Sequence, residues 1–356
     1  MALFHRNREV PVTEQPASPD SPTLPQAPPE AVNGLRAFMA HRDWVTSMIE
    51  ALPSLGVSLL DAVGLTLNES ILSEVDLPSS GIHVGDVLVA KRMPVTPRLA
   101  GLLAGVGIDK VLVRPRPRII VIAVTQPGDG DHVVWGARTA QVVLATALQD
   151  FGAQVWPVSA EVADDEHLTQ VVSDQVIRAD LIITVGGIGA PRAASAQPQG
   201  DGVETEASAP VSVERAIRGM GVSDFTPIAL SPGRHQGFAL LKEDDHRVPL
   251  VALPGDPITA HVLFEILLKP IVRKLMGMVI TTDPVRTGRL MQAVNVTPQV
   301  MTCVNGTIND LGMIHIQGRP SGPEGLVTIS RSNALVLLES ESGRIDQSAE
   351  VNYLSL

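Results

Sequence analysis

The sequence predicts a three-layer α/β fold, with a helical segment before it and a small all-β domain after it. The apolar runs "RIIVIAVT" (118–125), "AQVWPVSA" (153–160) and "LIITV" (181–185) are separated by two helical patterns, and short alternating segments fill the chain after Met278. Strands that alternate with helices across short connections form a parallel sheet with right-handed crossovers. Ligands bind such sheets at the carboxyl ends of the strands, so we expect a site at that edge.

Composition shifts along the chain predict four regions. The first is rich in proline and polar residues, which is typical of a disordered tail. The second has helical apolar spacing interrupted at Pro53, short strand patterns at 86–89 and 110–113, and a helix begun by Thr96 and Pro97. The third holds the strand and helix alternation. The predicted regions are a disordered tail (1–30), a helical linker domain (31–117), the α/β domain (118–277) with a flexible loop (193–210), and the C-terminal β domain (278–356).

Further segments extend the α/β and β regions. Three apolar segments after the flexible loop predict strands that resume the α/β sheet: "TPIAL", "GFALL" and "VPLVAL". The segment "PITAHVLFEILLKPIVRKLMG" predicts its closing helix. The predicted strands of the C-terminal domain lie in "TGRLMQAVNV", "MIHIQG", "LVTIS", "ALVLLES" and "AEVNYLSL".

Charge and composition exclude several classes of function. A net charge of -11 and 3% aromatic residues argue against nucleic acid as a partner, which needs a basic face or stacking rings. One cysteine, Cys303, excludes an internal disulfide and a multi-cysteine metal cluster, and it suits a reducing cytoplasm. The N-terminus lacks an apolar signal core and no window reaches about 18 apolar residues, so we expect a cytoplasmic protein without membrane insertion.

The segment "LPGDPITA" (253–260) carries the most informative local chemistry. Asp256 is a good helix N-cap, Pro257 a good first helical residue, and Gly255 allows close approach of the backbone. A helix N-terminus presents unpaired N–H groups and partial positive charge, which suits a phosphate. A well-capped helix without a ligand explains the same residues, and local chemistry leaves both interpretations open.

Other candidate residues lie in turns near predicted strand ends. Gly186 and Gly187 follow the third strand, and "SPGRH" (231–235) offers a glycine turn with Arg234 as a phosphate clamp or a solvated turn. Carboxylates of the kind that Mg²⁺ prefers also fall near strand ends or helix starts, although each singly fits a cap or a turn. These carboxylates are Asp129, Asp131, Asp164, Asp165 and Asp256.

The ordered set of segments resembles a known family. "VGDVLVAKRMPVTPRLAGLLAGVGIDKVLVRPRPRIIVIAVT", "ADLIITVGGIG", "VALPGDPITAHVLFEILLKPIVRKLMG" and "SGPEGLVTISRSNALVLL" follow one another as in the MoeA-type molybdopterin molybdenumtransferases, which include the C-terminal part of gephyrin. The resemblance covers about residues 35–356. It implies a MogA/MoeA-like fold and a cytoplasmic homodimer. That dimer would bind adenylylated molybdopterin and use molybdate with Mg²⁺ to insert molybdenum and release AMP.

The resemblance also implies roles for matched positions. Asp129 and Asp164 would contact metal or molybdate as catalytic residues, and Asp164 with Asp165 matches the acidic pair that would hold the metal. The implied molybdopterin contacts are Thr125, Gly186, Gly187, Pro232, Gly233, Arg234, Pro254, Gly255 and Asp256.

Departures from the family pattern open a second hypothesis. The segment "DLPSSGIHVGD" (76–86) joins two family segments between which the family has a β-rich domain, so that domain is expected to be missing. The family's "TGDEL", "GGVSVG", "KPGKP" and "LPGNP" are "TQPGDG", "GGIGAPR", "SPGRH" and "LPGDP" here. Pro191 removes a backbone donor, and Asp256 adds negative charge beside the expected phosphate. Two hypotheses follow. The first is a molybdenumtransferase whose activity is retained, reduced or lost, and the second is a catalytically silent gephyrin-like dimeric scaffold that binds a protein partner.

Overall fold

The computed structural model describes residues 25–31, 33–127, 136–188, 211–243, 246–279, 283–318 and 322–356. Its helices are α1 (Phe38–Ser47), α2 (Leu59–Ala62), α3 (Pro97–Gly105), α4 (Ala137–Asp150), α5 (Asp165–Val176), α6 (Val213–Ile217), α7 (Pro257–Leu263), α8 (Lys269–Leu275) and α9 (Pro323–Arg331). A 3-10 turn covers Pro78–Ser80, and a π-helical turn, Phe264–Leu268, joins α7 to α8.

The strands of the described residues fall into three groups along the chain. Those of the N-terminal segment are β1 (Leu55–Ser58), β2 (Thr66–Leu67), β3 (Ile71–Leu72), β4 (Val87–Val89) and β5 (Lys110–Arg114). Those of the middle region are β6 (Arg118–Thr125), β7 (Gln154–Glu161), β8 (Leu181–Val185), β9 (Gly221–Asp224), β10 (Leu230–Ser231), β11 (Gly237–Glu243) and β12 (His246–Leu253). The last group is β13 (Arg286–Leu290), β14 (Val294–Asn295), β15 (Met301–Ile308), β16 (Met313–Ile316), β17 (Ala334–Leu338), β18 (Arg344–Ile345) and β19 (Glu350–Ser355).

The middle of the chain forms a six-stranded sheet between two helical layers, as the sequence predicted. Its strand order is β7-β6-β8-β12-β11-β9, with the first four strands parallel and the last two antiparallel. One face packs against α1, α4, α7 and α8, and the other packs against α5 and α6. The three-layer α/β fold is confirmed, and the carboxyl ends of β6, β8 and β12 lie side by side at one edge.

The continuous apolar runs explain the two central strands. Residues 119–123 of β6 and all of β8 are buried, as expected for strands covered on both faces by helices. Consecutive side chains alternate between the two cores, so that Ile183 packs with the α4 and α7 layer and Ile182 with the α5 and α6 layer.

The prediction that "TPIAL" continues the α/β sheet is wrong. Leu230 and Ser231 form β10, which pairs with Met301 and Thr302 of the C-terminal sheet. Leu230 is buried in a core that α/β helices share with the C-terminal strands, so its apolar character reflects that junction. On the side of β11 away from β12, the neighbouring strand is β9. It is a short strand that begins at Gly221, and apolar patterning did not predict it.

The C-terminal region is a sheet of order β10-β15-β16-β13-β19-β17, in which β17 also pairs with β15 and closes the sheet on itself. The predicted strand "LVTIS" is wrong, because these residues belong to α9. Pro323 begins that helix, and the half-buried Leu326 and Ile329 have helical i, i+3 spacing. The all-β description therefore needs this one correction.

The N-terminal segment contains strands as well as the expected helices. Strands β1, β5 and β2 form an antiparallel sheet, and β3 pairs with β4. Leu67, Leu103 and Val113 belong to a separate core beneath this sheet. The strands predicted at 86–89 and 110–113 and the helix begun by Thr96 are confirmed as β4, β5 and α3, whereas β1, β2 and β3 were not predicted. Residues 73–86, between β3 and β4, contain the 3-10 turn and no further strand in the described structure.

Among the described residues, no helix is both long enough and apolar enough to cross a membrane.

Candidate functional site

The candidate site lies where β6, β8 and β12 end. Gly186 follows β8 directly, and its amide donates a hydrogen bond to the Leu253 carbonyl at the end of β12, at 3.0 Å. Thr125 is the last residue of β6, on the other side of β8. The parallel register therefore brings three predicted site segments to one edge of the sheet.

The glycine pair after β8 is required by backbone geometry and by close packing. Gly186 and Gly187 have φ values of +91° and +65°, in the region that L side chains rarely adopt. A Cβ on Gly186 would lie 2.6 Å from the Val124 carbonyl oxygen, and one on Gly187 would lie 3.1 Å from side-chain atoms of Val124 and Val213. The turn can therefore pack against β6 only with glycine at Gly186.

The start of α4 meets the glycine turns. A Cβ on Gly255 would lie 3.3 Å from the Gly186 Cα and 3.4 Å from both the Cβ and the amide nitrogen of Ala137. Helix α4 has Gly136 at its N-cap, with φ +137° and no side chain to cap the helix. Ala137 was missed by sequence reasoning, and the glycine before the helix was the signal that could have found it. Three chain segments thus converge within van der Waals contact.

Asp256 caps α7, as the sequence predicted. Its carboxylate accepts hydrogen bonds from the Thr259 amide at 2.8 Å and from the Thr259 hydroxyl at 2.6 Å. Pro257 is the first helical residue, and Pro254 follows β12 directly. The carboxylate oxygen that caps the helix is occupied within the protein, and the negative charge of Asp256 lies next to the Gly255 turn.

Thr125 has a structural partner on the neighbouring strand. Its hydroxyl donates to the Ala160 carbonyl at 3.2 Å, and its own carbonyl accepts the Val162 amide at 2.9 Å. These bonds fix the end of β6 beside β7, which places Thr125 at the predicted edge.

The Pro232–Gly233–Arg234 turn lies at the same edge of the sheet, because β11 begins there with Gly237 paired to Ala252. Gly233 has φ +108°, and a Cβ there would lie 3.1 Å from side-chain atoms of Leu230 and Leu263. The turn therefore packs against the far end of α7, and Arg234 is exposed.

The two carboxylates at the start of α5 both have partners inside the protein. Asp164 caps the helix by accepting the His167 amide at 2.8 Å. Asp165 accepts the Ser212 amide at 2.7 Å and pairs with Arg215 at 2.5 Å. Burial alone would raise the pKa of Asp165, but the hydrogen bonds from Arg215 and the Ser212 amide outweigh it and lower that pKa. Arg215 was not identified from the sequence.

The described residues do not fit a magnesium site. They contain no group of three or more histidine, cysteine, aspartate or glutamate side chains placed to hold a metal. Asp164 and Asp165 are already engaged by the His167 amide and by Arg215. Asp129 and Asp131 lie outside the described residues, so their predicted roles stay predictions.

The turns after β8 (Gly186 and Gly187) and after β12 (Gly255), called the strand-end turns below, fit a phosphate-bearing ligand better than a metal. Gly187 and Gly255 are partly exposed, and the start of α4 has no side-chain cap, which favours an anion there. The first turn of α4 also carries Arg138, a cation beside Ala137 that sequence reasoning missed. The negative charge of Asp256 opposes this preference.

Comparison with known proteins agrees with the resemblance. No family model matches the chain. It is 29% identical over 298 residues to molybdopterin molybdenumtransferase 1 of Mycobacterium tuberculosis, covering 77% of this chain and 63% of that protein. It is 24% identical over 285 residues to a molybdopterin molybdenumtransferase of Staphylococcus epidermidis, covering 75% of this chain and 60% of that protein. The chain thus spans less than two thirds of the length of these relatives.

Two solved structures share the fold. A molybdopterin biosynthesis MoeA protein from Pyrococcus horikoshii superposes with a TM-score of 0.69 at 16% identity, covering 90% of this chain and 99% of that chain. A molybdenum cofactor biosynthesis protein from Pyrococcus furiosus superposes with a TM-score of 0.65 at 17% identity, covering 90% and 100%. The chain shares the three-layer α/β fold of these two structures. Its sequence is similar to those of curated molybdopterin molybdenumtransferases.

Proposed function

We propose that this protein acts in molybdenum cofactor biosynthesis, inserting molybdate into adenylylated molybdopterin and releasing AMP. The observation that carries the proposal is the convergence of Gly186, Gly255 and Ala137 at the carboxyl ends of the parallel strands. Backbone turns without side chains at that edge suit the phosphate and pterin groups of such a substrate. The names of the relatives support the same reaction.

The described residues would act chiefly by binding and orienting the substrate. Gly187 and Gly255 would let the main chain approach the phosphate, and Arg234, exposed on its turn, would supply a cation at the same edge. Arg138 would add a second cation from the start of α4. Asp256 would hold α7 in place through Thr259, and its negative charge would weaken anion binding.

The predicted roles of magnesium and of the acidic residues remain proposals. Asp164 and Asp165 are engaged as a helix cap and an ion pair, so no step is derived through a metal held by them. The homodimer and the absence of the family's β-rich domain also remain proposals. A silent scaffold that binds a protein partner is less well supported, because the relatives are named for the transferase reaction.

Calorimetric titration with adenylylated molybdopterin tests the binding step. The wild-type chain should bind saturably, and Gly187→Asp should abolish binding because its side chain adds negative charge and meets Val124 and Val213. Gly312→Asp is the matched control: Gly312 also has positive φ, at +74°, but a Cβ there meets nothing within 4 Å. Absence of saturable binding to the folded wild-type chain would contradict the proposal.

A further inference from the structure

A second pocket, distant in sequence from the strand-end turns, has a strongly basic lining. It encloses about 230 Å³ and is lined by Lys91, Arg92, Arg114 and Lys274, together with Asn68 and apolar groups such as Met278. Its lining contains four basic side chains and no carboxylate, in a chain whose net charge is -11. Such a concentration of like charge is unfavourable unless an anion occupies it.

The cations of this pocket are not neutralised by nearby acids. Within the part of the chain that the structure describes, no carboxylate lies within 4.0 Å of the charged groups of Lys91, Arg92, Arg114 or Lys274. On the same helix as Lys274, by contrast, Lys269 pairs with Glu265 at 2.5 Å and Arg273 pairs with Asp283. The pocket therefore differs from its immediate surroundings, where helix α8 balances its cations.

Three separate elements build this pocket. The Lys91–Arg92 turn is fixed to β2, because the Arg92 amide donates to the Leu67 carbonyl at 2.8 Å. Arg114 ends β5 opposite Thr66, and its guanidinium donates to the Leu52 carbonyl. The pocket thus sits at the junction between the N-terminal segment and the end of α8.

Backbone geometry at two positions supports a built site. Arg92 has φ +69°, a conformation uncommon for residues other than glycine and one that merits a functional explanation. Gly277 has φ +67°, and a Cβ there would overlap the Arg114 side chain, so glycine leaves room for that arginine to lie across the helix end. Arg92 thus has an unfavourable backbone conformation, and Gly277 leaves space for the side chain of Arg114. Both arginines line the same pocket.

The C-terminus of α8 repels an anion in this pocket, but only weakly. The pocket adjoins the C-terminus of α8, where the helix dipole places about half a negative charge. Four full positive charges exceed that contribution severalfold. The charges that line the pocket therefore sum to a positive value.

We propose that this pocket binds a compact diphosphate group. Its volume is below the roughly 300–1,000 Å³ of pockets for drug-sized ligands, which favours a small anion over a macromolecule. A single phosphate group carries about -1.5 to -2 charges, and a diphosphate group carries more charge and more acceptor oxygens, which suits a pocket with four cations. The inference is independent of the strand-end site and of its proposed reaction.

Calorimetric titration of the full chain with sodium pyrophosphate, at constant ionic strength and without divalent metal, tests this inference. We expect saturable binding whose affinity depends on the basic residues of this pocket. Lys274→Gln and Arg92→Gly should each raise the dissociation constant about fivefold or more, because each removes a charge-assisted contact. Arg92→Gly should fold well, since glycine suits the positive φ at this position.

Two controls locate the binding. Lys242→Gln, at an exposed lysine on β11, should leave the dissociation constant within about twofold, because surface charges far from a ligand are screened by salt. Gly187→Asp should also leave pyrophosphate binding intact. Loss of binding in Gly187→Asp but not in Lys274→Gln would assign the anion to the strand ends and overturn the inference.

Further ligands distinguish the source of the diphosphate. Adenosine diphosphate binding more tightly than pyrophosphate would indicate a nucleotide-borne group, and the reverse order would indicate the free inorganic anion. Either order supports the inference, provided that Lys274→Gln weakens binding of the preferred ligand. Binding of heparin without binding of pyrophosphate would identify a surface for acidic polymers and overturn it, as would absence of any saturation.

Discussion

Gly255 and Gly186 lie against each other at the carboxyl ends of β12 and β8, so close that a Cβ on Gly255 would come within 3.3 Å of the Gly186 Cα. The contact joins the turn before α7 to the turn after β8, and Ala137 at the start of α4 packs against both. A single close approach therefore fixes the relative positions of three segments of the candidate site.

Gly186→Ala should destabilise the protein by about 2–4 kcal/mol, because the new methyl group would meet the Val124 carbonyl and because positive φ disfavours L-residues. Gly312→Ala shares the positive φ without the steric contact and should cost only about 1 kcal/mol. Urea unfolding of both variants measures the difference. Equal losses would show that the strand-end turn is not tightly packed.

Asp256→Asn should preserve the helix cap while removing a negative charge beside the expected phosphate. Asparagine caps helices about as well as aspartate, so stability should change by less than about 0.5 kcal/mol, whereas Asp256→Ala should cost about 1 kcal/mol. Adenylylated molybdopterin should bind Asp256→Asn about threefold to fivefold more tightly, as expected for one charge removed near water. Titration calorimetry compares the variants, and weaker binding by Asp256→Asn would contradict this role.

Two buried histidines should make the fold sensitive to moderate acid. Burial lowers the pKa of His41 to about 4, helped by the charge of Arg36 and opposed by Asp224. Burial likewise lowers the pKa of His261 to about 4, helped by Lys269 and opposed by the Asn305 side chain.

The sign of the effect follows from these lowered values. A histidine with a lower pKa in the folded state binds its proton more readily when unfolded, so its contribution is complete above pH 6.5 and declines as pH falls towards 4. Each site contributes on the order of 3 kcal/mol over that interval. Glu265, whose pKa burial raises despite its bond to Lys269, acts in the opposite direction in the lower part of the range.

Urea midpoints between pH 7 and pH 4 test this pH dependence. The wild-type midpoint should fall across the interval, and His41→Asn should give a flatter profile because the variant has no imidazole to protonate at that site. An unchanged slope in His41→Asn and His261→Gln would show that neither histidine is responsible.

Arg36 and Asp224 form a buried ion pair that holds the segment before α1 against β9. Two guanidinium nitrogens of Arg36 donate to the two carboxylate oxygens at 2.8 and 3.0 Å, and the guanidinium lies 5.4 Å from the centre of the Trp44 ring. Arg36→Met should cost about 3 kcal/mol because it leaves a half-buried carboxylate unpaired. Arg36→Met combined with Asp224→Leu should recover most of that loss.

The exposed pair Arg344–Asp346 provides the control for this cycle. Its side chains are 64% and 81% exposed, so Arg344→Met should change the free energy of unfolding by less than about 0.5 kcal/mol. Chemical denaturation of these three variants and of the wild-type chain measures both effects. Comparable losses in Arg36→Met and Arg344→Met would contradict the assigned importance of burial.

The sequence predicted the parts of the fold that depend on local pattern. The apolar runs of β6 and β8 and the cap at Asp256 are local signals, and the structure confirms them. The assignment of "TPIAL" failed because Leu230 owes its burial to distant strands, which local pattern does not record. The helix α9 was missed because its apolar spacing is short and fits either period.

The candidate site was predictable as an edge of the sheet but not as a set of contacts. Glycine turns and the "LPGDP" cap located that edge, whereas the contact of Ala137 with Gly255 depends on how α4 packs. The partners of Asp165 were likewise invisible, because Arg215 is 50 residues away in the chain. Pairing between residues far apart in the sequence therefore decides which carboxylates remain available to bind a ligand.

The most direct test of the central claim is AMP release by the purified chain given adenylylated molybdopterin and molybdate. We predict that AMP is released together with molybdenum insertion, that Gly187→Asp abolishes both, and that Gly312→Asp retains both. A folded wild-type chain that binds the substrate but releases no AMP under any molybdate concentration would contradict the proposed transferase activity.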